Sequence, residues 1–580
     1  MLFVVAAALP ATARANELSP EVQLALQHLR EGERARLEKA QGPLSALPLY
    51  RVQLEIEPEA RRVTGQVHVL VTAKGDKPQD AVYLRVPPNA QGRRMRLSHA
   101  TRDGKKVGLQ QPEPTLFKID LEPPLAAGAS TEVSVKLVAD VPSLPRAARP
   151  MLGGLGGGVQ QGPRDYGAFA ASEDVLMLSG IVPMVPPKDF DGEPWPGPSG
   201  MGDLALFDPS LVVASILVPA GHQALATGVA LGEVPEKDGR VRFSWAAAGV
   251  RDFPVIVTRG FKRLEAKVNG IDVETWHSPA NAEVAKRAQG YTVSAISELE
   301  KRLGPLPHRV FRVVEAPLFS GAGGMEFSGL IVLSRGVFEM AQDPGAALGL
   351  PQGFDQLLGG GAGAGAGGKG GGIGRMLEDT LELTVAHEVA HQYFAGLVGS
   401  DPVREPVADE ALAQYLALLY FEWKHGAGTA QRIRLEHLVT PYHFYRMGGG
   451  KDGAAARHTE SFAGSTEYAA LVYGKAPLGL AAQRKVVGDA LFFRALRAYV
   501  DEYRWGWACT GCFTSTMARL KPDARAQLEA VRRRWWNEAK GDEDLGKADF
   551  TRLLESMSGQ KLDAETAEML RQLMPIFTGE

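Results

Sequence analysis

The feature that most constrains this chain is the pentad His387-Glu388-Val389-Ala390-His391. Residues four apart lie on one face of an α-helix about one turn apart, so both imidazoles can reach a single ion. Apolar residues recur at near-helical spacing around the pentad, and no proline lies between Gly374 and Asp401. The pattern predicts a helix that carries the H-E-x-x-H signature of zinc sites.

A third ligand is predicted at Glu410, with eighteen residues between it and His391. Residues 408–415 around it are typical of a second helix, packed beside the first. Two histidines and one glutamate leave the fourth tetrahedral position open for water, which is the catalytic rather than the structural arrangement. Glu388 projects toward the same opening and is placed to take a proton from water. We therefore predict one zinc ion per chain; histidines that fall at this spacing by chance are the alternative.

Length and charge describe an ordinary globular protein around this motif. The 580 residues suffice for two or three domains. A hydrophobic content of 45% and a charged content of 23% are typical of soluble proteins. The formal net charge of -3 gives no general attraction to nucleic acid or acidic membranes, so neither is expected as a partner.

The first fifteen residues are typical of an export signal. A short apolar core at 2–9 is followed by Ala13-Arg14-Ala15, a small-x-small cleavage pattern. Cleavage after Ala15 predicts export to a periplasm or the exterior. No other stretch approaches the roughly 18 apolar residues that span a bilayer. In an exported protein, Cys509 and Cys512 are expected to form a local disulfide, with two unpaired thiols as the alternative.

Alternating apolar residues predict β-structure in the first half of the chain. Period-two patterns or apolar strand signals occur at residues 50–56, 67–71, 133–137, 211–218 and 255–258. We predict a helical lead-in at 16–44 and an N-terminal antiparallel β-sandwich domain at 45–262.

The pattern changes to mixed helix and strand after residue 262. A helix is predicted at 281–302, a strand at 310–314, and mostly helices beyond Glu410. Residues 359–374 are almost entirely glycine and alanine, which predicts a flexible insertion before the histidine helix. In Gly323-Gly324-Met325-Glu326 the glycines would let the backbone approach a ligand at a sheet edge, although a plain edge-strand turn has the same pattern.

Together these residues resemble the aminopeptidase N family of zinc metallopeptidases, the gluzincins. The pentad and Glu410 match the family's H-E-x-x-H-x18-E register, and Gly323-Gly324-Met325-Glu326 is similar to its G-x-M-E motif. Tyr473-Gly474-Lys475 is similar to its Y-x-K-G segment, and Val250-Arg251-Asp252-Phe253 to the end of its N-terminal β-domain. The resemblance implies a β-sandwich followed by a thermolysin-like, largely helical catalytic domain, here at 263–580 and part of a multidomain α+β fold.

The resemblance also implies a role for each matched residue. Zinc would be held by His387, His391 and Glu410. Glu388 would act as general base and then general acid, and Tyr473 would donate a hydrogen bond to the developing oxyanion.

In the family that the chain resembles, G-x-M-E is an exopeptidase motif, which implies the substrate class. Glu326, with Gly323, Gly324 and Met325, would bind the free α-ammonium group, so the expected activity removes N-terminal residues from peptides. Phe327 stands where the best-known members have asparagine, which indicates a divergent, bacterial-type member. The alternatives are an endopeptidase or another hydrolase on the same site, and an inactive binding protein of the same fold.

Overall fold

The computed structural model describes residues 18–144, 166–189, 192–198, 201–202, 205–319, 321–342 and 372–546. The predicted export signal at 1–15 and most of the predicted insertion at 359–374 lie outside these residues. One boundary needs correction, because a helix already begins at Gly372 and includes the last three residues of that insertion. Glycine costs a helix roughly 1 kcal/mol relative to alanine, and packing of a long helix outweighs this cost.

Most of the first half of the chain is β-structure, with two short helices ahead of it in the predicted lead-in. The strands up to residue 259 are β1 Leu49–Glu57, β2 Arg62–Thr72, β3 Gln79–Arg85, β4 Met95–Arg102, β5 Lys105–Lys106, β6 Leu109–Glu113, β7 Leu116–Leu125, β8 Ser130–Asp140, β9 Phe169–Ala171, β10 Val175–Leu178, β11 Ser210–Pro219, β12 His222–Ala226, β13 Val229–Pro235, β14 Arg240–Val250 and β15 Val255–Arg259. All the strands predicted in this part are confirmed.

These strands form three sheets around one apolar core. The eight-stranded sheet has the order β13-β14-β11-β1-β2-β8-β4-β5, and the two others are β12-β15-β10-β9 and β3-β7-β6. In β1 the side chains of Val52, Leu54 and Ile56 are buried while the residues between them face out, so the period-two pattern marks the core face. One pair departs from the expected antiparallel arrangement: β11 lies parallel to β1, joined to it by a long connection.

A mixed five-stranded sheet follows. Its strands are β16 Lys262–Val268, β17 Ile271–His277, β18 Val310–Ala316, β19 Gly324–Phe327 and β20 Leu330–Ser334, in the order β16-β17-β18-β20-β19. Strand β19 lies at the edge and runs antiparallel to β20. The Gly-Gly-Met-Glu stretch therefore does lie at a sheet edge.

Helices lie ahead of the β-sheets, between β17 and β18, and above all beyond β20, where the described residues are mostly helical. The helices are α1 Pro20–Leu26, α2 Glu33–Gln41, α3 Ala282–Leu303, α4 Arg335–Gln342, α5 Gly372–Ala390, α6 Val407–His425, α7 Ala427–Ile433, α8 Thr440–Met447, α9 Ser465–Tyr468, α10 Ala476–Val487, α11 Asp489–Tyr503, α12 Cys512–Leu520, α13 Arg525–Trp536 and α14 Gly541–Leu545, with π-helices at Arg434–Val439 and Ala469–Lys475. Within the described ranges, no helix has the length and apolar character needed to cross a membrane.

One core joins the helices to the mixed sheet. Leu381 and Val385 of α5 are buried in the same cluster as Leu333 of β20 and Ala411 of α6. This packing holds α5 between the edge of the sheet and α6. The order of β-sheets followed by helices is the predicted α+β organisation, and the predicted disulfide between Cys509 and Cys512 is present. The domain limits at 45–262 and 263–580 stay predictions.

Candidate active site

The two histidines of the pentad meet at the C-terminal end of α5. The helix ends at Ala390, but the N–H of His391 still donates to the carbonyl of His387 at 3.1 Å, which continues the helical geometry. Both side chains are buried, and their Nε2 atoms are 3.0 Å apart. The predicted shared face is therefore formed.

Glu410, in the first turn of α6, completes a triangle of ligand atoms. Its Oε2 is 3.3 Å from Nε2 of His387 and 3.2 Å from Nε2 of His391. Zinc bonds of about 2.0–2.1 Å in a tetrahedral site place ligand atoms roughly 3.3 Å apart, so the triangle has the size that zinc requires. These three residues are a group that could hold a metal ion.

Contacts around the triangle set the charge and orientation of the ligands. Nδ1 of His391 lies 2.8 Å from the carbonyl of Phe394 and must donate to it, which orients the ring with Nε2 toward the metal position. Burial opposes ionisation of Glu410, but hydrogen bonds from His387 and His391 outweigh it and hold the pKa of this carboxyl below its ordinary range. The donor set is thus two imidazoles and a carboxylate.

Glu388 is buried beside this triangle and lies against β19. A Cβ placed on Gly324 would come within 2.6 Å of Cδ of Glu388, so a larger residue there would displace the carboxylate. Gly323 has a similar close neighbour one turn earlier on α5, Thr384. The glycines therefore let the edge strand run alongside the helix. The approach to a ligand that the sequence suggested stays a prediction.

Glu326 and Met325 occupy opposite faces of β19. Glu326 shares its face with Gly324, toward α5, since strand side chains alternate. Burial raises the pKa of Glu326 to about 8; His391 opposes this shift, and the carboxylates of Glu388 and Glu410 add to it. Met325 instead packs against an apolar cluster that includes strands of the N-terminal sheets.

Tyr473 reaches the metal position from the π-helix Ala469–Lys475. Its hydroxyl donates to Oε1 of Glu410, and its ring centre is 5.6 Å from that of His387. π-Helical turns are frequent at functional sites. Lys475 anchors this turn, since its buried Nζ donates to Oδ1 of Asp452 at 2.9 Å and to two carbonyls.

The sequence interpretation missed Gln392 and Asp409. The amide of Gln392, two residues past the end of α5, contacts β19 and the turn that follows it: Oε1 accepts from the N–H of Gly329 at 2.9 Å, and Nε2 donates to the carbonyl of Phe327 at 3.1 Å. Gln392 follows Glu388 by four residues, so helical spacing was a signal for it. Asp409 accepts from the hydroxyl of Ser400 at 2.8 Å, a contact that no sequence pattern indicates.

A cavity of about 50 Å³ lies beside Glu326 and His391. Its walls are mostly apolar and include Met184 and Phe253 from connections between the N-terminal strands, with Asp252 among the few polar groups. The N-terminal half of the chain thus contributes directly to the surroundings of the site.

Comparison with known proteins supports the fold. No known family model matches the chain, and no curated protein sequence matches it. A solved M1 zinc metallopeptidase from Deinococcus radiodurans is similar, with 18% sequence identity, a TM-score of 0.57 and coverage of 85% of this chain and 94% of that chain. The chain has the fold of the M1 zinc metallopeptidases. The predicted fold class is confirmed.

Solved variants of such a metallopeptidase show the same likeness. A glutamate-to-alanine mutant from Deinococcus radiodurans is 19% identical with a TM-score of 0.57. The same mutant bound to a Tyr-Ser-Ala substrate is 18% identical, with a TM-score of 0.53. A two-domain M1 mutant bound to L-arginine is 18% identical, with a TM-score of 0.56. Each structure covers 85% of this chain and 94% of its own.

Proposed function

We propose that the chain is a zinc-dependent aminopeptidase that hydrolyses the N-terminal peptide bond of peptides. The observation that carries the proposal is the triangle of His387, His391 and Glu410, with Glu388 beside it on α5 and Glu326 on the facing strand β19. The metal position is fixed by three ligand atoms 3.0–3.3 Å apart. The amino acid and peptide bound to the similar solved structures support the same class of substrate.

The residues of the chain divide the chemistry among them. Zinc at the triangle would supply Lewis-acid activation of water and of the scissile carbonyl. Glu388 takes the proton from the attacking water and passes it to the leaving amine. Tyr473, whose hydroxyl already lies at the site, donates to the oxyanion as it develops.

Glu326 makes the reaction exopeptidic in this proposal. A cleft that accepts a chain anywhere along its length needs a fixed anion to select a free α-ammonium group. Burial raises the pKa of Glu326 to about 8. A cation beside this carboxyl, such as the α-ammonium group of a peptide, would stabilise its ionised form. Breaking one partner of a desolvated charge pair costs roughly 3–5 kcal/mol, and a half-buried site of this kind is expected near 2–4 kcal/mol.

The test compares free and N-acetylated versions of one peptide in the wild type and in Glu326→Ala. The wild type should cut only the free peptide, one residue at a time, and the variant should lose most of that preference. Equal cleavage of the acetylated peptide at internal bonds by the wild type would instead establish an endopeptidase.

The Cys509–Cys512 disulfide supports the further proposal that the protein works outside the cytoplasm, which cell fractionation tests.

A further inference from the structure

Arg251 is a fully buried cation at the end of β14. Its guanidinium donates to three backbone carbonyls: Nε to Gly396 at 2.9 Å, Nη1 to Phe207 at 3.1 Å and Nη2 to Gly506 at 2.6 Å. It also stacks over the ring of Trp507, 4.5 Å from the centroid. A guanidinium with its donors in a fixed fork is suited to holding several segments in one geometry.

The segment that Arg251 holds is the one that orients His391. The N–H of Gly396 donates to the carbonyl of His391 at 2.9 Å, and the carbonyl of Phe394 in the same turn accepts from Nδ1 of His391. A second segment braces this turn, since the N–H of Trp505 donates to the carbonyl of Leu397 at 2.7 Å. The orientation of one metal ligand thus depends on a turn fixed by a residue from the N-terminal sheets.

The neighbouring residue, Asp252, reaches the opposite wall of the site. Its carboxylate accepts from the N–H and from the hydroxyl of Ser328, both at 3.1 Å. The N–H of Arg251 donates to the same hydroxyl at 2.9 Å. Ser328 lies in the turn that follows β19, two residues after Glu326. The dipeptide therefore contacts both the turn behind His391 and the turn behind Glu326.

We propose that Arg251 and Asp252 are positioning residues, Arg251 for the metal ligand His391 and Asp252 for the substrate strand that carries Glu326. The proposal rests on the proposed aminopeptidase function for its second half only. The proposal gives the N-terminal β-region a defined part in the site. Two adjacent residues directly after β14 set the position of the metal relative to Glu326. Both residues act through others, Arg251 through the turn behind His391 and Asp252 through Ser328.

The first experiment measures zinc affinity, not activity. Arg251→Lys keeps the charge, but one ammonium nitrogen cannot reach the three carbonyls that Nε, Nη1 and Nη2 of the guanidinium contact separately. Zinc should therefore bind about ten-fold more weakly, within the usual range for outer contacts of a metal site. Competition with a chromophoric chelator gives the dissociation constant.

The matched control for this arm is Arg312→Lys. Arg312 of β18 is equally buried, its guanidinium donates to the carbonyls of Ala226 and Gly228 and to the carboxylate of Glu274, and it stacks 4.6 Å over Trp245. It should lower stability without changing zinc affinity. If Arg251→Lys does not fold, Trp507→Leu removes the stacked ring and should weaken zinc binding in the same direction. Two results would overturn the first half of the proposal. One is an unchanged zinc affinity in Arg251→Lys, or in Trp507→Leu where that variant replaces it. The other is an equal loss of zinc affinity in the control.

The second experiment measures the preference for a free amine. Asp252→Asn keeps the size of the side chain but presents an N–H group to the donors of Ser328, so the turn behind Glu326 should shift. The ratio of kcat/KM for the free peptide to kcat/KM for the N-acetylated peptide should fall about ten-fold, because a small displacement of Glu326 weakens its contact with the free amine. Zinc affinity should stay unchanged. Asp103→Asn is the control, because exposed Asp103 also holds a turn by accepting from an N–H and a hydroxyl.

The outcomes separate this proposal from the proposed function. A wild type that does not discriminate between the two peptides contradicts the aminopeptidase function, and the zinc arm still decides the role of Arg251. A discriminating wild type with an unchanged ratio in Asp252→Asn overturns the role of Asp252 alone. Loss of zinc affinity in Asp252→Asn as large as in Arg251→Lys contradicts the division of labour between the two residues.

Discussion

The two walls of the site are built differently. The metal wall, formed by His387, Glu388, His391 and Glu410, lies on two helices that follow each other among the described residues. The substrate wall, formed by β19 and the turn to Gly329, is a short edge strand with one strand neighbour. It is held by Gln392, two residues past the end of α5, and by Asp252 of the N-terminal β-region. The metal wall depends on helix geometry, and the substrate wall on contacts between distant segments.

This difference separates two properties that one site must combine. Metal binding should survive changes in the N-terminal β-region better than substrate selection does, because α5 and α6 share a large buried core. The exception is the turn behind His391, where Arg251 links the metal wall to that region. The predictions below test how independent the two walls are.

The largest effect is expected from removal of a metal ligand. Purified wild type should hold about one equivalent of zinc after dialysis, and Glu410→Ala should hold little, because two histidines alone lack the third ligand of a catalytic site. Glu382→Gln is the control, since this buried glutamate of α5 binds Tyr420 and His425 instead. Elemental analysis decides; full zinc retention in a His387→Ala/His391→Ala double variant would contradict the assignment.

The next effect isolates the base of the metal wall from its ligands. Glu388→Gln has nearly the same volume, so the close contact with Gly324 persists and zinc should remain bound. The turnover number should fall by about 10²–10⁴, the usual contribution of a positioned proton carrier. Steady-state kinetics on zinc-loaded protein measure this. Turnover close to that of the wild type would assign proton transfer to another group.

A smaller effect is expected at Tyr473, which approaches the metal wall from a third segment. Tyr473→Phe removes the hydroxyl that lies at Glu410 and that we propose donates to the oxyanion. The turnover number kcat should fall about 10²-fold with little change in KM, because the bond to the oxyanion forms mainly in the transition state. Tyr468 packs edge-on against Tyr473 with centroids 5.7 Å apart and serves as the control. A greater loss in Tyr468→Phe would show that the roles are reversed.

The smallest effect concerns the support of the substrate wall at acid pH. His28 and His308 stack 4.1 Å apart beneath the turn at Gly329. Burial lowers the pKa of His308 to about 4 and that of His28 well below its ordinary value. Unfolded histidine titrates near about 6.5. The stability that these neutral rings provide is therefore complete above that pH and is lost as the pH falls toward 4.

Denaturant unfolding at two pH values tests this support. His308 alone should cost roughly 2 kcal/mol in the free energy of unfolding between pH 7 and pH 5. His308→Gln should have a shallower pH dependence, whereas replacement of the exposed His99 should leave it unchanged. Equal pH dependence in all three proteins would exclude the buried pair as the cause.

The residues of the metal wall could be predicted from their spacing in the sequence. His387 and His391 are four residues apart on a helix, so their shared face follows from backbone geometry alone. The alternation in β1 likewise determined which side chains are buried, since strand geometry repeats every two residues. Helical spacing also contained Gln392, four residues after Glu388, although the interpretation did not use it.

Tertiary structure alone decided what joins these elements. The contact of Arg251 with Gly396 links residues 145 apart, and that of Tyr473 with Glu410 links residues 63 apart. The parallel register of β1 with β11 and the approach of Gly324 to Glu388 are of the same kind. Periodicity reports only which face of an element is apolar. It carries no information on which distant segment packs there, because many partners can bury the same face and only the complete packing selects one.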